Sequence, residues 1–451
     1  MTSPGNNDST TDQIMISDND EQSFDISEKT GSTFNYIESC FSMICRNNEI
    51  LIMPKVISDC GLIGGLVALT IISLITFFIT YGLCKSAQKF EAKSIMELCL
   101  KVFPRGSFAF NSFLLTLMVS SIVCSQTLVV EIISEIFKMR NVISILSNSY
   151  IIIAVLNICM LFFSYSKTLH RVKIFSNIAF VCYFFAMVMI AIHYFIPFYS
   201  EDIKPEPNAK EVVMWNGKGI LSNIGLLLFS FTVQDVIIDF DSEIKPQSNE
   251  KSRNFTFFIC IGMLINYIFS GLLGYFSILR DPVGNDQENY LRYLIHINKG
   301  TSKLLIISNL MVCLNLLFDS VVCLIPITKF IDIFLLKSNQ NTQTTEDTQP
   351  ENSTKSHIIK VIIAFFIAGL LVFIVYFNLD IQGVYEITSS ICIIPITIAF
   401  PLYFYSICFP ESFSKSALFI LMGITLLLWG LTALGCIPYI QGTALASFFI
   451  K

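Results

Sequence analysis

Eleven apolar segments follow one another along this chain, separated by polar loops. They lie near 34–57, 61–83, 108–131, 149–166, 173–196, 219–240, 254–277, 303–330, 357–378, 383–407 and 416–438. A helix rises about 1.5 Å per residue, so about 20 apolar residues cross the hydrocarbon core of a bilayer. In hydrocarbon each backbone N–H and C=O must be paired internally, and for runs of this length the helix does that. Charge supports the assignment: 14% of residues are charged and 53% are hydrophobic, against about 25% charged in a soluble domain. The chain therefore reads as an all-α integral membrane protein with about eleven transmembrane helices and the lipid bilayer as its first partner. An ordinary cytosolic enzyme and a secreted disulfide domain are excluded. So is a nucleic-acid binder, because the net charge is −5 and no long basic stripe exists.

The acidity belongs to one end. Residues 1–30 hold seven acids against Lys29, a net of −6, which leaves the other 421 residues near +1. Residues 1–33 are rich in Ser, Thr, Asn and Asp and read as a disordered cytoplasmic tail. They contain no apolar core of a cleavable signal. Residues 34–438 form the transmembrane domain and 439–451 a short C-terminal tail. The stretch 337–356 is a polar low-complexity linker, and 197–218 is a polar loop with three prolines. With the N-terminus inside, 17 Lys and Arg fall on the cytoplasmic side and 11 outside, with Arg46 left in the membrane. The densest cluster, 85–105, is then cytoplasmic.

Fourteen Cys lie mostly within apolar runs and act there as small hydrophobes. No Cys or His spacing fits a metal, and no nucleophile–base set supports an enzyme. Nothing in the sequence sets an oligomeric state.

Two segments break the pattern. Segment 1, FNYIESCFSMICRNNEILIMPKVISDCG, carries Arg46, Asn47, Asn48 and Glu49 near its middle, with Pro54 beyond. A charge at mid-bilayer costs about 2.5–3.5 kcal/mol on insertion scales. Arg46 and Glu49 must therefore pair or face water, and a helix broken near 46–49 is the simplest solution. Segment 6, GILSNIGLLLFSFTVQDVIIDFDSEI, is interrupted by Gln234 and Asp235, and a second break is expected near 232–236. Its end, with Asp239, Asp241 and Glu243, reads as a solvated helix terminus. The two segments lie five spans apart, so a duplication relating them would have inverted topology. Paired interrupted helices in inverted halves are a transporter signature. Half-helix N-termini attract carboxylates and unwound carbonyls bind cations.

The stretch GLLLFSFTVQDVIIDFDSEIKPQ (225–247) resembles the sixth helix of the amino acid/auxin permease family, with Phe240, Glu243 and Lys245 in matching places. YIFSGLLGYFSILRDPVGND (267–286) resembles that family's seventh helix, through Gly271, Gly274, Tyr275 and Asp281. EILIMPKVISDCGLIGG resembles the stretch after its Gly-Ser-Gly turn, with Pro54 and Gly61 at the expected spacing. The resemblance implies a secondary amino-acid carrier of the APC superfamily with a LeuT-like five-plus-five inverted repeat. The repeats would cover about 34–196 and 219–407, with an extra helix at 416–438. It implies a small amino-acid substrate, H⁺ or Na⁺ as coupling ion and no other cofactor. The location would be a multi-pass position in the plasma membrane or a vacuolar or lysosomal membrane.

The chain also departs from that pattern. Asn47, Asn48 and Glu49 replace the Gly-Ser-Gly turn, so close approach of a substrate carboxylate to the backbone is lost there. Arg46 either grips a carboxylate with its guanidinium fork or pairs with an acid. Asp319, in segment 8, stands where a hydroxyl residue is usual; it is a proton or cation site or the partner of Arg46. The Asn that sodium-coupled relatives use in helix 1 has no match, with Met43 or Cys40 nearest, which favours H⁺ coupling. Candidate substrate-binding residues are Arg46, Asn47, Asn48, Glu49, Phe231, Gln234, Asp235 and Gln126, with Glu131 a lesser one and Phe229 a possible gate. Ion coupling falls to Asp319 and Asn315. His193 and His296 read as bystanders. The other function weighed is a transporter-like amino-acid sensor signalling through its N-terminal tail.

Overall fold

The computed structural model describes residues 36–37, 39–41, 43–44, 48–139, 147–164, 169–195, 211–244, 248–280, 303–339, 351–376, 387–412 and 415–442. The acidic tail, Arg46, Asn47, Lys245, Asp281 and His296 lie outside them, as do the side chains of Asn48, His193 and Glu243. So does the middle of the 337–356 linker, into which helices reach from both sides.

All eleven apolar segments contain helix, and no strand occurs among the described residues. Segment 1 is helical where described up to Ile44, winds as a 3₁₀ turn over Asn48–Leu51, and resumes as α1 (Met53–Cys60). There follow α2 (Leu62–Lys89), the short surface helix α3 (Ile95–Val102), α4 (Ser107–Met139), α5 (Ser149–Ser164) and α6 (Leu169–Phe195). Segment 6 is divided among α7 (Gly217–Ser222), α8 (Ile224–Ser230) and α9 (Ile237–Glu243). Then come α10 (Asn249–Arg280), α11 (Lys303–Asn339) and α12 (Glu351–Tyr376). Segment 10, α13, spans 387–408 with π-wound turns at Ser389–Ile393 and Pro395–Ala399. The last helix is α14 (Lys415–Gly442).

Among the described residues five helices are long and apolar enough to cross a membrane, and four shorter apolar ones accompany them. Segments 1 and 6, read above as interrupted, are the two that supply no such helix. Other segments show many large apolar side chains outward, Phe162 at 75% and Phe365 at 74% exposure among them. An apolar surface of that extent suits lipid, not water. The twelve described cysteines form no disulfide with one another, and all but Cys159 are buried.

Segments 1, 2, 6 and 7 pack on one another, and segments 3, 4, 5, 8 and 9 form a second packed set. α13 lies against members of both. It meets α4 through Phe110, whose ring stands 4.8 Å from Phe400 and 5.5 Å from Phe404. Its other flank takes Tyr405 against Gly82 of α2.

Backbone pairing outside the helices ties segment 6 to segment 1. Leu62 N–H donates to the Val213 carbonyl at 2.8 Å, and Ile63 N–H to Met214 at 2.9 Å. In return Asn216 donates from its backbone to Cys60 at 2.8 Å and from Nδ2 to the Asp59 carbonyl at 2.8 Å. The junction works because Gly61 has φ +81° and a Cβ there would stand 2.7 Å from Trp215 N. At the opposite end, Lys85 and Lys89 lie over the Phe409 ring at 4.6 and 4.9 Å. Phe103 meets Tyr403 at 5.1 Å. The ends of segments 2 and 10 and the loop before segment 3 therefore share one side, as the parity of an alternating chain requires.

In α3 the hydroxyl of N-cap Ser94 accepts from Glu97 N–H at 3.2 Å. The Glu97 carboxylate reaches back to Lys93 N–H at 2.9 Å and pairs with Lys101 at 2.8 Å. This is a capping box displaced by one residue.

Two measurements check these local devices. Gly61→Ala should cost about 1–3 kcal/mol, the usual price of backbone strain, seen as a lowered thermal midpoint of the detergent-solubilised chain. The hydrogen bond from Lys101 holds the Glu97 carboxyl below its usual value. The clamp is then complete above about pH 4.3, the unfolded carboxylate value, and is lost as pH falls through the lower folded one. Hydrogen-exchange protection factors in α3 should drop over that interval and lose their pH dependence in Glu97→Gln.

Candidate functional site

Segment 6 loses its helical ladder over 231–236, the interval in which Gln234 and Asp235 stand. Turn bonds replace it: Thr232 N–H to the Phe229 carbonyl at 2.9 Å, and Ile237 N–H to Val233 at 3.0 Å. The buried Gln234 side chain braces the break. Its Oε1 accepts from Val233 N–H at 3.0 Å, and its Nε2 donates to Thr80 Oγ1 of α2 at 3.2 Å. The end of α8 is closed from another helix, where Tyr267 Oη of α10 donates to the Ser230 carbonyl at 2.6 Å. The Phe231 ring stands edge-on to Tyr267 at 5.2 Å, and both residues are buried. Asp235 is buried within the break.

Segment 1 is held by the same helix. Pro54 occupies the first turn of α1, where its missing N–H is harmless. One turn along α10 from Tyr267, Gly271 receives Ile57 so closely that a Cβ there would lie 2.4 Å from Ile57 Cδ1 and 3.6 Å from Met53 Cβ. Residues four apart share a face of a helix. α10 therefore carries the break of segment 6 and the restart of segment 1 on one face, a turn apart.

Segment 3 gathers the acids. Glu49, buried in the 3₁₀ turn of segment 1, interacts electrostatically with Cys124 of α4. The next residue, Ser125, donates to Asp319 Oδ2 of α11 at 3.4 Å. One turn of α4 thus hydrogen-bonds a carboxylate of segment 8 and lies within electrostatic range of one from segment 1, both buried. Asn315 is buried one turn before Asp319 on the same face. Further along the same pair of helices, Cys323 Sγ lies 3.9 Å from Ser121 Oγ.

The structure separates some expected companions. Gln126 projects to another side of α4, where its Nε2 approaches Met160 Sδ of α5 at 3.2 Å. Gln234 belongs to the break, but its amide is engaged with backbone and Thr80. The Asp241 reading is corrected. This residue is 2% exposed, not solvated, because α9 packs on α2 and Ser252 of α10 covers its carboxylate. Its carboxylate accepts from Ser252 Oγ at 2.6 Å and from Gln88 Nε2 at 3.3 Å. Tyr267 and Ser125, which sequence reasoning passed over, carry no signal beyond their place one turn from Gly271 and beside Gln126. Among the described residues no group of three His, Cys, Asp or Glu could hold a metal ion.

Buried carboxylates beside two interrupted helices, held by two separate packed sets, can bind a charged solute and exchange a proton or cation. The comparisons bear on which solute. No curated protein sequence matches the chain. Among solved structures it is similar to a Na⁺-coupled sialic acid symporter in a substrate-bound, outward-open state. The two share 11% sequence identity, with 91% of this chain and 89% of that one covered and a TM-score of 0.54. At that identity the likeness concerns the fold. The family model described as transmembrane amino acid transporter protein matches residues 31–439, nearly the whole chain. The chain belongs to the transmembrane amino acid transporter family.

Proposed function

We propose that the chain carries an amino acid across its membrane by alternating access and that protons drive it. The supporting observation is the placement of the two interruptions a turn apart on one face of α10, near a turn of α4 that hydrogen-bonds Asp319 and lies within electrostatic range of Glu49. The substrate sits between the 3₁₀ turn of segment 1 and residues 231–236 of segment 6. Arg46, Asn47, Asn48, Glu49, Phe231 and Asp235 are its neighbours. The ammonium group of the substrate is drawn to Glu49 and Asp235. Its carboxylate finds N–H groups and the positive end of a half-helix.

Asp319 is the coupling group. A carboxylate inside a membrane changes by one full charge on protonation, and that change alters which helix arrangement is stable. Ser125 holds it against α4, in the set of helices 3, 4, 5, 8 and 9. The substrate breaks belong to the set of helices 1, 2, 6 and 7. Proton and substrate therefore bind across the boundary between two bodies that rock against each other. With the N-terminus inside, the lysine-rich end that carries Lys85, Lys89 and Lys101 is cytoplasmic.

Purified chain in proteoliposomes should accumulate one or more amino acids under an imposed pH gradient and do so equally with and without Na⁺. Accumulation that needs Na⁺ would refute proton coupling, and no flux of any of the twenty amino acids under either gradient would refute amino-acid transport. Asp319→Asn should abolish gradient-driven accumulation while leaving exchange of labelled for unlabelled substrate. Coupling that survives the change removes Asp319 from the mechanism. Tyr267→Phe leaves the Ser230 carbonyl without its donor, which costs about 1–3 kcal/mol. The expected reading is KM raised about tenfold, with little loss of folded protein on size-exclusion chromatography.

A further inference from the structure

The last two helices do not close against α4. Between α4, α13 and α14 lies a cleft of about 350 Å³, whose walls include Phe103, Phe113, Phe400, Met422, Leu426 and Trp429. The π-wound turn Pro395–Ala399 forms part of its floor. A buried water needs about two to four polar partners. The hydroxyl of Thr425 on this wall is already spent on the Leu421 carbonyl at 2.8 Å. The filling that suits such a space is hydrocarbon. The cleft opens sideways, since Met422 is 57% and Leu426 62% exposed.

One end of the cleft is marked by charge. Phe103 lies between Lys101 and Arg105, in the turn that leads into α4. Lys85, Lys89 and Lys93 belong to the same end of the molecule, against Glu91, Glu97 and Glu411. Lys101 is occupied by Glu97 and by the carbonyls of Phe90 and Glu91. Lys85 and Lys89 are held over Phe409. Arg105 is exposed and makes no hydrogen bond or ion pair among the described residues. An exposed guanidinium two residues after a wall residue of a hydrocarbon cleft and two before a membrane helix begins is complementary to a phosphate with an acyl chain attached.

We infer that this cleft binds one acyl chain of an anionic glycerophospholipid, whose phosphate rests on Arg105. The site is separate from the substrate breaks and does not depend on how transport is coupled. It lies on α13, the helix that touches both packed sets, so its occupant contacts the boundary along which they would move.

The two tryptophans of the chain make the test direct. Trp429 lines the cleft, and Trp215 sits by Gly61 at the opposite end. The full chain carrying Trp215→Phe, in an uncharged detergent, is titrated with phosphatidylglycerol and with phosphatidylcholine bearing the same brominated acyl chains. Trp429 fluorescence should be quenched saturably by both. Half-saturation should come at about fivefold lower concentration for phosphatidylglycerol, the worth of one cation near a phosphate. Arg105→Gln should bring the two curves together, and Ala399→Phe, which narrows the cleft, should weaken both. Should Trp215→Phe fold poorly, the parent chain corrected with a Trp429→Phe control gives the same reading. Quenching that rises linearly without saturation, or that Ala399→Phe leaves unchanged, overturns the site. Equal curves for the two lipids before Arg105 is changed overturn the anionic headgroup.

Discussion

In hydrocarbon a backbone amide or carbonyl that loses its helical partner must find another within the protein, at a cost of several kcal/mol if it does not. Most of the segments satisfy this rule by continuous helix through their described residues. Segments 1 and 6 do not, and much of the surrounding structure can be read as the consequence. Tyr267 exists at its position as a donor for the Ser230 carbonyl. Gln234 folds its own side chain onto Val233 N–H and anchors the loop to Thr80. The chain on the far side of segment 6 returns to pair with residues 60–64, so the two interrupted segments are cross-linked by backbone hydrogen bonds. Breaks this well supported can leave polar backbone at membrane depth without unravelling the helices on either side.

The supports are unevenly shared, and that has mechanical meaning. α10 and α2 provide the braces for both breaks, so segments 1, 2, 6 and 7 hold together as one unit. α4 and α11 provide the setting for Asp319, in the other unit. Glu49 is the exception, since it belongs to segment 1 yet faces α4. A charge that crosses the boundary between two bodies is sensitive to their relative position. The second buried acid, Asp241, behaves differently. Its hydrogen bonds to Ser252 and Gln88 stay within the first unit and tie the end of α9 to α2 and α10. One carboxylate thus stiffens the first body, Asp319 is held within the second, and Glu49 sits where the bodies meet.

Much of this architecture is legible in the residues. Runs of apolar sequence locate the eleven segments. Gln234 and Asp235 mark the break at 231–236 to within a residue, because a polar pair within an apolar run has few places to go. Pro54 and Gly61 mark the restart and the end of α1. The neighbours of each helix were not legible. A soluble helix advertises its buried face by the contrast of apolar and polar sides. In a membrane the lipid face is as apolar as the core, and the contrast vanishes. That is why Asp241 passed for a solvated end. It also hid Tyr267, whose value lies in facing Ser230, thirty-seven positions earlier.

Segment 10 shows how the same lack of contrast leaves room for softness. Pro395 and Pro401 remove two N–H donors from one helix, and around them the winding widens to π turns. Such a helix has fewer well-aligned bonds to lose when it bends. It stands between the two packed sets, against α2 through Tyr405 and against α4 through Phe400 and Phe404. If the sets shift relative to each other, α13 must follow one, the other, or deform. Phenylalanine rings set edge-on fasten it to α4, and its half after Phe400 lies along α2, where Lys89 donates to the Cys408 carbonyl. Held on both flanks, α13 must deform rather than follow one set, and the π-wound turns are where it has the fewest well-aligned bonds to lose.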